Sequence, residues 1–204
     1  MNFPGFVLAY HGCDRAVGER ILSGKEHVRA SENDYDWLGY GAYFWENSPR
    51  RALEWAEFLR DHPEYAQARV ATPFVIGAII QPGWTLDLTD AGCLQVLRNA
   101  YEDLVETMAD LGADLPQNEK GHAHDTDLVK RWLDCAVIKY LHLMRHENEE
   151  TPFDCVRSAF FEGEPLYPGS GLTAKAHIQW CVREPAQNVR GYFVPLPGWE
   201  EDVE

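Results

Sequence analysis

The sequence predicts an α+β domain built on a mostly antiparallel sheet. Two observations carry this. The elements read as strand, helix, strand, helix, strand, two helices and three closing strands. Those closing strands are also close together in the chain, whereas a parallel doubly wound sheet would alternate strand and helix throughout.

Each element has a local reason. "GFVLAYHG" alternates as a strand, with Val7, Ala9 and His11 on one face and Phe6, Leu8 and Tyr10 on the other. "CDRAVGERILSG" follows as a helix capped by Asp14, buried through Ala16, Val17, Ile21 and Leu22, and stopped at Gly24. The stretch 30–48 is turn-rich and becomes a strand at Ala42 to Trp45. Ser48-Pro49 starts a helix, as a cap hydroxyl followed by proline at the first helical position. Its inward line is expected to be Ala52, Leu53, Trp55, Ala56 and Leu59, and His62-Pro63 ends it. "TPFVIGAIIQPG" is a nearly continuous apolar run and reads as a central strand, with "TLDL" extending the same sheet.

Helical spacing runs from Gly92 to Leu111, and again from Asp127 to His146 through Leu128, Trp132, Leu133, Ala136, Val137, Tyr140, Leu141 and Met144. The polar stretch 116–127 is a loop between them. "FDCVRSAFFEG", "AHIQWCVREP" and "NVRGYFV" close the chain as strands, with the loop "EPLYPGSGLTAK" before the second.

Composition narrows the function classes. The 204 residues suit a single domain with a real core. The chain has 18 basic and 33 acidic residues, for a net charge of −15, which opposes a broad nucleic-acid groove. Arg50, Arg51 and Arg60 make "SPRRALEWAEFLR" a locally basic exception. Five scattered cysteines with no C-x-x-C pair fit free thiols in a reducing cytoplasm. No apolar run approaches a membrane span, and "MNFPGFVLAYHG" lacks the basic start and long apolar core of a signal peptide. The acidic tail "WEEDVE" is the one segment expected to be disordered.

Conventional catalytic motifs are missing. There is no dinucleotide fingerprint, P-loop, zincin helix or nucleophile elbow. His122 and His124 form H-x-H in a polar loop without an identifiable third ligand, so a metal hydrolase has little support and no metal is expected. Cys13 beside His11 lacks an activating pair and reads as a small buried residue. His11 at a strand end can be filler, a metal ligand, a general base or a reader of ligand hydroxyls.

Three strand-end segments remain, "YHGC", "GYGAYF" and "AHIQWCV". In that order they resemble the ADP-ribosyltransferase fold of the poly(ADP-ribose) polymerase and diphtheria-toxin branch. That family carries H-G-[ST], G-x-G-x-Y-[FL] and a later polar strand residue, usually glutamate. "YFWENSPRRALEWA" is similar to its strand followed by a helix bearing a second aromatic. The resemblance is specific over the first 60 residues and looser over the last 30. The chain also resembles a widespread set of uncharacterised bacterial proteins with the same three segments.

The resemblance implies a split antiparallel sheet with a helical insertion at about 88–150. It implies that the chain is a mono-ADP-ribosyltransferase consuming NAD as substrate, with a protein or nucleic-acid acceptor. A bacterial toxin or defence effector of the cytoplasm, with a cognate antitoxin as partner, fits that picture. The catalytic residues it implies are His11, Tyr43 and Gln179, with His11, Gly12, Tyr43 and Trp55 binding NAD. His11 would meet a ribose hydroxyl and Gly12 would pair its backbone with the carboxamide. Tyr43 would stack on the cationic nicotinamide ring, worth about 0.5–2 kcal/mol, and Trp55 would close the other side. Arg50 and Arg51 are candidates for the diphosphate, and Tyr167 and Ser170 for acceptor choice.

The departure from the family is Gln179, which stands where glutamate is usual. Its carbonyl accepts a hydrogen bond from a hydroxyl, but it carries no charge and cannot act as a base. Chain elongation is thereby disfavoured. A non-catalytic NAD-binding or partner-binding module of the same fold is the alternative, and Glu162 is the alternative carboxylate. Taken singly, His11, Tyr43 and Gln179 read as a strand-end residue, a core residue and an exposed polar residue. Asp36 reads as a turn residue, with an adenosine contact as the minority reading.

Overall fold

The computed structural model describes residues 2–3, 5–66, 68–120 and 127–199. Strand β1 (Val7–Asp14) runs directly into helix α1 (Arg15–Leu22). Asp14 makes that junction, since its carboxylate accepts from the Ala16 amide at 2.9 Å. It also accepts from the Ala71 and Thr72 amides at 2.8 and 3.0 Å. One side chain thus caps the helix and ties down the chain entering the third strand. These amides, Thr72 foremost, hold the Asp14 carboxyl below its ordinary pKa.

Strand β2 (Ala42–Glu46) leads into helix α2 (Pro49–Asp61). Pro49 takes the first helical turn as expected, but Ser48 makes no side-chain cap bond. A 3-10 turn at Pro63–Tyr65 precedes β3 (Pro73–Ile80) and the short β4 (Thr85–Asp87). Helices α3 (Ala91–Asp110) and α4 (Trp132–Glu147) come next. The chain closes with β5 (Cys155–Phe160), β6 (His177–Val182), the one-turn α5 (Pro185–Asn188) and β7 (Val189–Phe193). Helix α4 starts five residues later than the periodicity suggests. The Asn118 side chain sets this start by accepting from the Leu133 and Asp134 amides at 2.8 and 3.3 Å.

The strands form one seven-stranded sheet in the order β4-β5-β6-β2-β1-β3-β7. This is α+β, but the sheet is mixed, because β4 and β5 pair in parallel. A parallel neighbour needs a long crossover, and α3 and α4 lie within it. "TLDL" extends the same sheet as expected, and as β4 it forms the edge far from β3. Strand β3 is internal, between β1 and β7. All seven strands belong to one sheet, and its pairing is shortest between β1 and β2 among the neighbours of β1. Strands β1 and β2 keep two registered pairs, Ala9–Glu46 and Tyr10–Trp45, while β1 and β3 keep eight.

Alternation along the strands divides the core. Ala9, Phe44, Ile76 and Trp180 pack with Ile21 of α1 on one face. Val156, Phe160 and Cys181 pack against α3 and α4 on the other, where Ala52 of α2 also meets Trp45 and Val75. All five cysteines are buried free thiols. Among the described residues, no helix is long and apolar enough to cross a membrane. The tail 200–204 lies outside them, as do His122 and His124.

Candidate functional site at the fork between two strands

Beyond the Tyr10–Trp45 pair, β1 and β2 part, and Gly12 stands at the opening. Its backbone direction follows from the register. The Arg15 amide donates to the Thr72 carbonyl at 2.9 Å, one step past the Asp14–Pro73 pair. Bonded and non-bonded positions alternate along an antiparallel ladder. Cys13, His11 and Ala9 therefore direct their backbone groups to β3, and Leu8, Tyr10 and Gly12 direct theirs toward β2. The Asn47 amide donates to the Leu8 carbonyl at 3.2 Å, as this requires. Gly12 has no registered β2 partner, so its amide and carbonyl face the fork.

Gly12 also has a packing duty. A Cβ there would overlap the Ala52 carbonyl oxygen and lie 3.1 Å from the Ala56 Cβ. Helix α2 lies directly against β1 through Ala52 and Ala56, its two buried residues. This corrects the expected inward line. Trp55 is 38% exposed and stacks on Phe58 at 5.4 Å rather than facing the sheet. Its ring is 6.2 Å from the Trp45 ring, and the buried Trp45 is the aromatic on the sheet side.

His11 places Nδ1 2.8 Å from the Tyr43 carbonyl oxygen. A carbonyl only accepts, so Nδ1 carries the proton and Nε2 keeps a lone pair. Burial lowers the imidazole pKa, which keeps that neutral form at pH 7. The His11 side chain leaves the sheet on the α1 face, against Phe44 at 5.7 Å. It thus meets Tyr43 through the backbone.

The Tyr43 ring is on the opposite face and packs with the α3–α4 cluster. Its hydroxyl donates to the Gly39 carbonyl at 2.6 Å and accepts from the Leu38 amide at 2.9 Å. Burial pushes this hydroxyl pKa well above its ordinary value. Gly41 supports the close approach that the G-x-G pattern suggests. A Cβ there would stand 2.5 Å from Cys181 Sγ and 2.8 Å from the Val182 carbonyl.

Gln179 is only 8% exposed and not on an open polar face. It is registered with Trp45 on one side and Ser158 on the other, so these three share the Tyr43 face. The fold brings Tyr43 and Gln179 together on one face, while the His11 ring lies on the other and meets Tyr43 only at its backbone carbonyl.

A polar cluster adjoins Gln179 that the motifs did not single out. Just past β5, Glu162 lies 3.6 Å from Arg51 and 3.6 Å from His177. The sequence marks Glu162 as an alternative carboxylate and Arg51 as a basic candidate, and places His177 on the Gln179 face, but does not show their meeting. Elsewhere, two cavities among the described residues are lined by other side chains. One of about 280 Å³ lies between α3 and α4 at Leu97, Tyr101 and Leu133. The second, of about 420 Å³, lies beside α2 at Arg50, Leu53 and Trp199.

Asp36 accepts from the Asn33 amide at 3.1 Å, which supports the turn reading. Burial nevertheless pushes its pKa up to about 6. The folded state then holds this proton more tightly than the unfolded chain. Stability from this group is present at low pH and is lost as pH rises from about 4 to about 6. Asp36→Asn should remove that slope in urea unfolding midpoints taken across this range; an unchanged slope would refute the assignment.

No protein-family model, curated protein or solved structure matches the chain.

Proposed function

We propose that the protein is an NAD+-dependent mono-ADP-ribosyltransferase that releases nicotinamide, with the β1–β2 fork as its NAD+ site. The observation that supports this best is the backbone of Gly12. An N–H and a C=O that both point toward β2 with no registered partner there suit a carboxamide, which presents one acceptor and one donor group. Beside it, the neutral His11 ring has a lone pair on Nε2 suited to a ribose hydroxyl.

The reaction breaks the bond between ribose C1′ and the nicotinamide nitrogen, and the bonding pair leaves with nicotinamide. Positive charge grows on the ribose as in glycoside cleavage. The Gln179 carbonyl is suited to accept from a ribose hydroxyl and orient the sugar. Tyr43 has its hydroxyl held by Leu38 and Gly39, which leaves its ring as the contribution to ligand. Trp45 replaces Trp55 as the second aromatic of the site, because it shares the sheet face of Tyr43 and Gln179. The acceptor is a macromolecule, and an antitoxin that covers the fork would suit an effector role.

A second reading keeps NAD+ binding without catalysis, and the uncharged Gln179 favours it. Nicotinamide release from NAD+ separates the two. The transferase reading expects release by the wild type, retention in Tyr43→Phe, which keeps the ring, and loss in Tyr43→Ala. NAD+ binding by calorimetry without release over hours supports the binding module. Equal turnover in Tyr43→Ala refutes the site.

A further inference from the structure

On the Gln179 face, Arg51 and His177 from different elements meet one carboxylate. Glu162, following β5, is 15% exposed at its side chain, and its Oε2 stands 3.6 Å from Arg51 of α2 and 3.6 Å from His177 Nδ1 of β6. The His177 side chain is 2% exposed. Its Nδ1 lies 2.8 Å from the Lys175 carbonyl and therefore donates, so Nε2 is a lone-pair acceptor. The rings of His177 and Trp45 are 6.4 Å apart.

Three polar atoms in this group are buried with no hydrogen-bond partner: His177 Nε2, Arg51 Nε and Trp45 Nε1. Buried polar atoms in folded proteins are nearly always paired. Two unpaired donors, one unpaired acceptor and a carboxylate side by side are an arrangement that a polar ligand group completes.

We infer that Glu162 is the base that takes the acceptor's proton, with Arg51 as the positioning residue of its carboxylate. This rests on the transferase reading. As the C1′–nicotinamide bond breaks, the acceptor heteroatom bonds to C1′, and its proton passes to Glu162. Gln179 has no basic group for that proton, and Glu162 stands on the same side of the sheet. Arg51 keeps the carboxylate anchored and is itself also paired with Glu54. Replacement of Glu162 by its isosteric amide therefore leaves Arg51 with a partner.

The groups facing Glu162 are Arg51 and Glu54 from α2, Asp127 and Arg131 from the segment before α4, and Lys175 and His177 around the start of β6. Burial raises the carboxyl pKa, and Arg51 is the foremost group opposing that rise.

The test measures NAD+ affinity, transfer to lysate protein or RNA, and the pH profile of transfer, for wild type, Glu162→Gln and Arg51→Met. Glu162→Gln should keep NAD+ affinity within about twofold while transfer falls by roughly 10²–10⁴. The acidic limb of the profile should vanish with it. Arg51→Met should move that limb to higher pH, a shift that a purely structural role would not produce. Wild-type transfer rate and pH profile in Glu162→Gln overturn the inference alone. A wild type that releases no nicotinamide overturns the transferase reading, and this inference with it.

Discussion

Gly12→Ala should destabilise the protein by more than about 3 kcal/mol, the upper end of ordinary overpacking in a core. The added methyl would fall on the Ala52 carbonyl oxygen and stand 2.8 Å from its carbon. Backbone atoms cannot rotate away as a side chain would. Relief requires lifting α2 from β1 and β3, which opens the contacts among Ala52, Trp45 and Val75. It also displaces Arg51 from Glu162, so any folded fraction should lose the transfer proposed for this site. Urea unfolding followed by circular dichroism measures the effect. Gly191→Ala, at a strand glycine with nothing within 4 Å of the added carbon, is the control. It should stay within about 0.5 kcal/mol of wild type. A Gly12→Ala midpoint equal to that of the control would mean that α2 does not rest on Gly12.

Arg157→Met should cost about 3–5 kcal/mol, the scale for removing one partner of a buried ion pair. Arg157 leaves β5 on the α1 face and is 12% exposed at its side chain. Its Nε donates to Glu46 at 3.0 Å, and Nη1 donates to both Asp87 oxygens at 3.2 and 3.1 Å. Trp180 Nε1 donates to the same Glu46 oxygen at 2.7 Å. One guanidinium thus holds the edge strand β4 and the closed end of the fork, where Glu46 pairs with Ala9. Methionine keeps most of the volume but leaves the part-buried carboxylates of Glu46 and Asp87 without their shared cation. Adding Glu46→Gln and Asp87→Asn to Arg157→Met should recover part of the loss, because the uncompensated charge is the main cost. If Arg157→Met unfolds at the wild-type midpoint, the network contributes no net stability.

The legible parts of the fold are those whose causes are local. Asp14 could be read as a cap because the residue it caps is two positions away. Pro49 marked a helix start because its ring leaves few other choices of φ. The parity of β6 could be read as well, and it placed His177, Gln179 and Cys181 on one face. The start of α4 was not legible, because its cap comes from Asn118, outside the helical pattern. Trp55 was misplaced for a related reason. Helical spacing allowed it inward, but the contact of α2 with Gly12 admits only residues as small as Ala52 and Ala56.

The candidate site divides in the same way. Its residue types and chain order belong to the sequence: a histidine and glycine closing the first strand, a tyrosine after paired glycines, and a glutamine between two strand residues of like parity. The sequence also determined that Gln179 brings no charge. Only the tertiary structure decided that β1 and β2 separate after two pairs, and so that the Gly12 backbone faces an opening. It also decided that His11 reaches Tyr43 through a carbonyl rather than a ring, and that Glu162 stands with Arg51 and His177. The physical reason is separation along the chain. Alternation, caps and proline act over a few residues, whereas the fork depends on pairing between strands about 35 residues apart and the carboxylate on Arg51, 111 residues away.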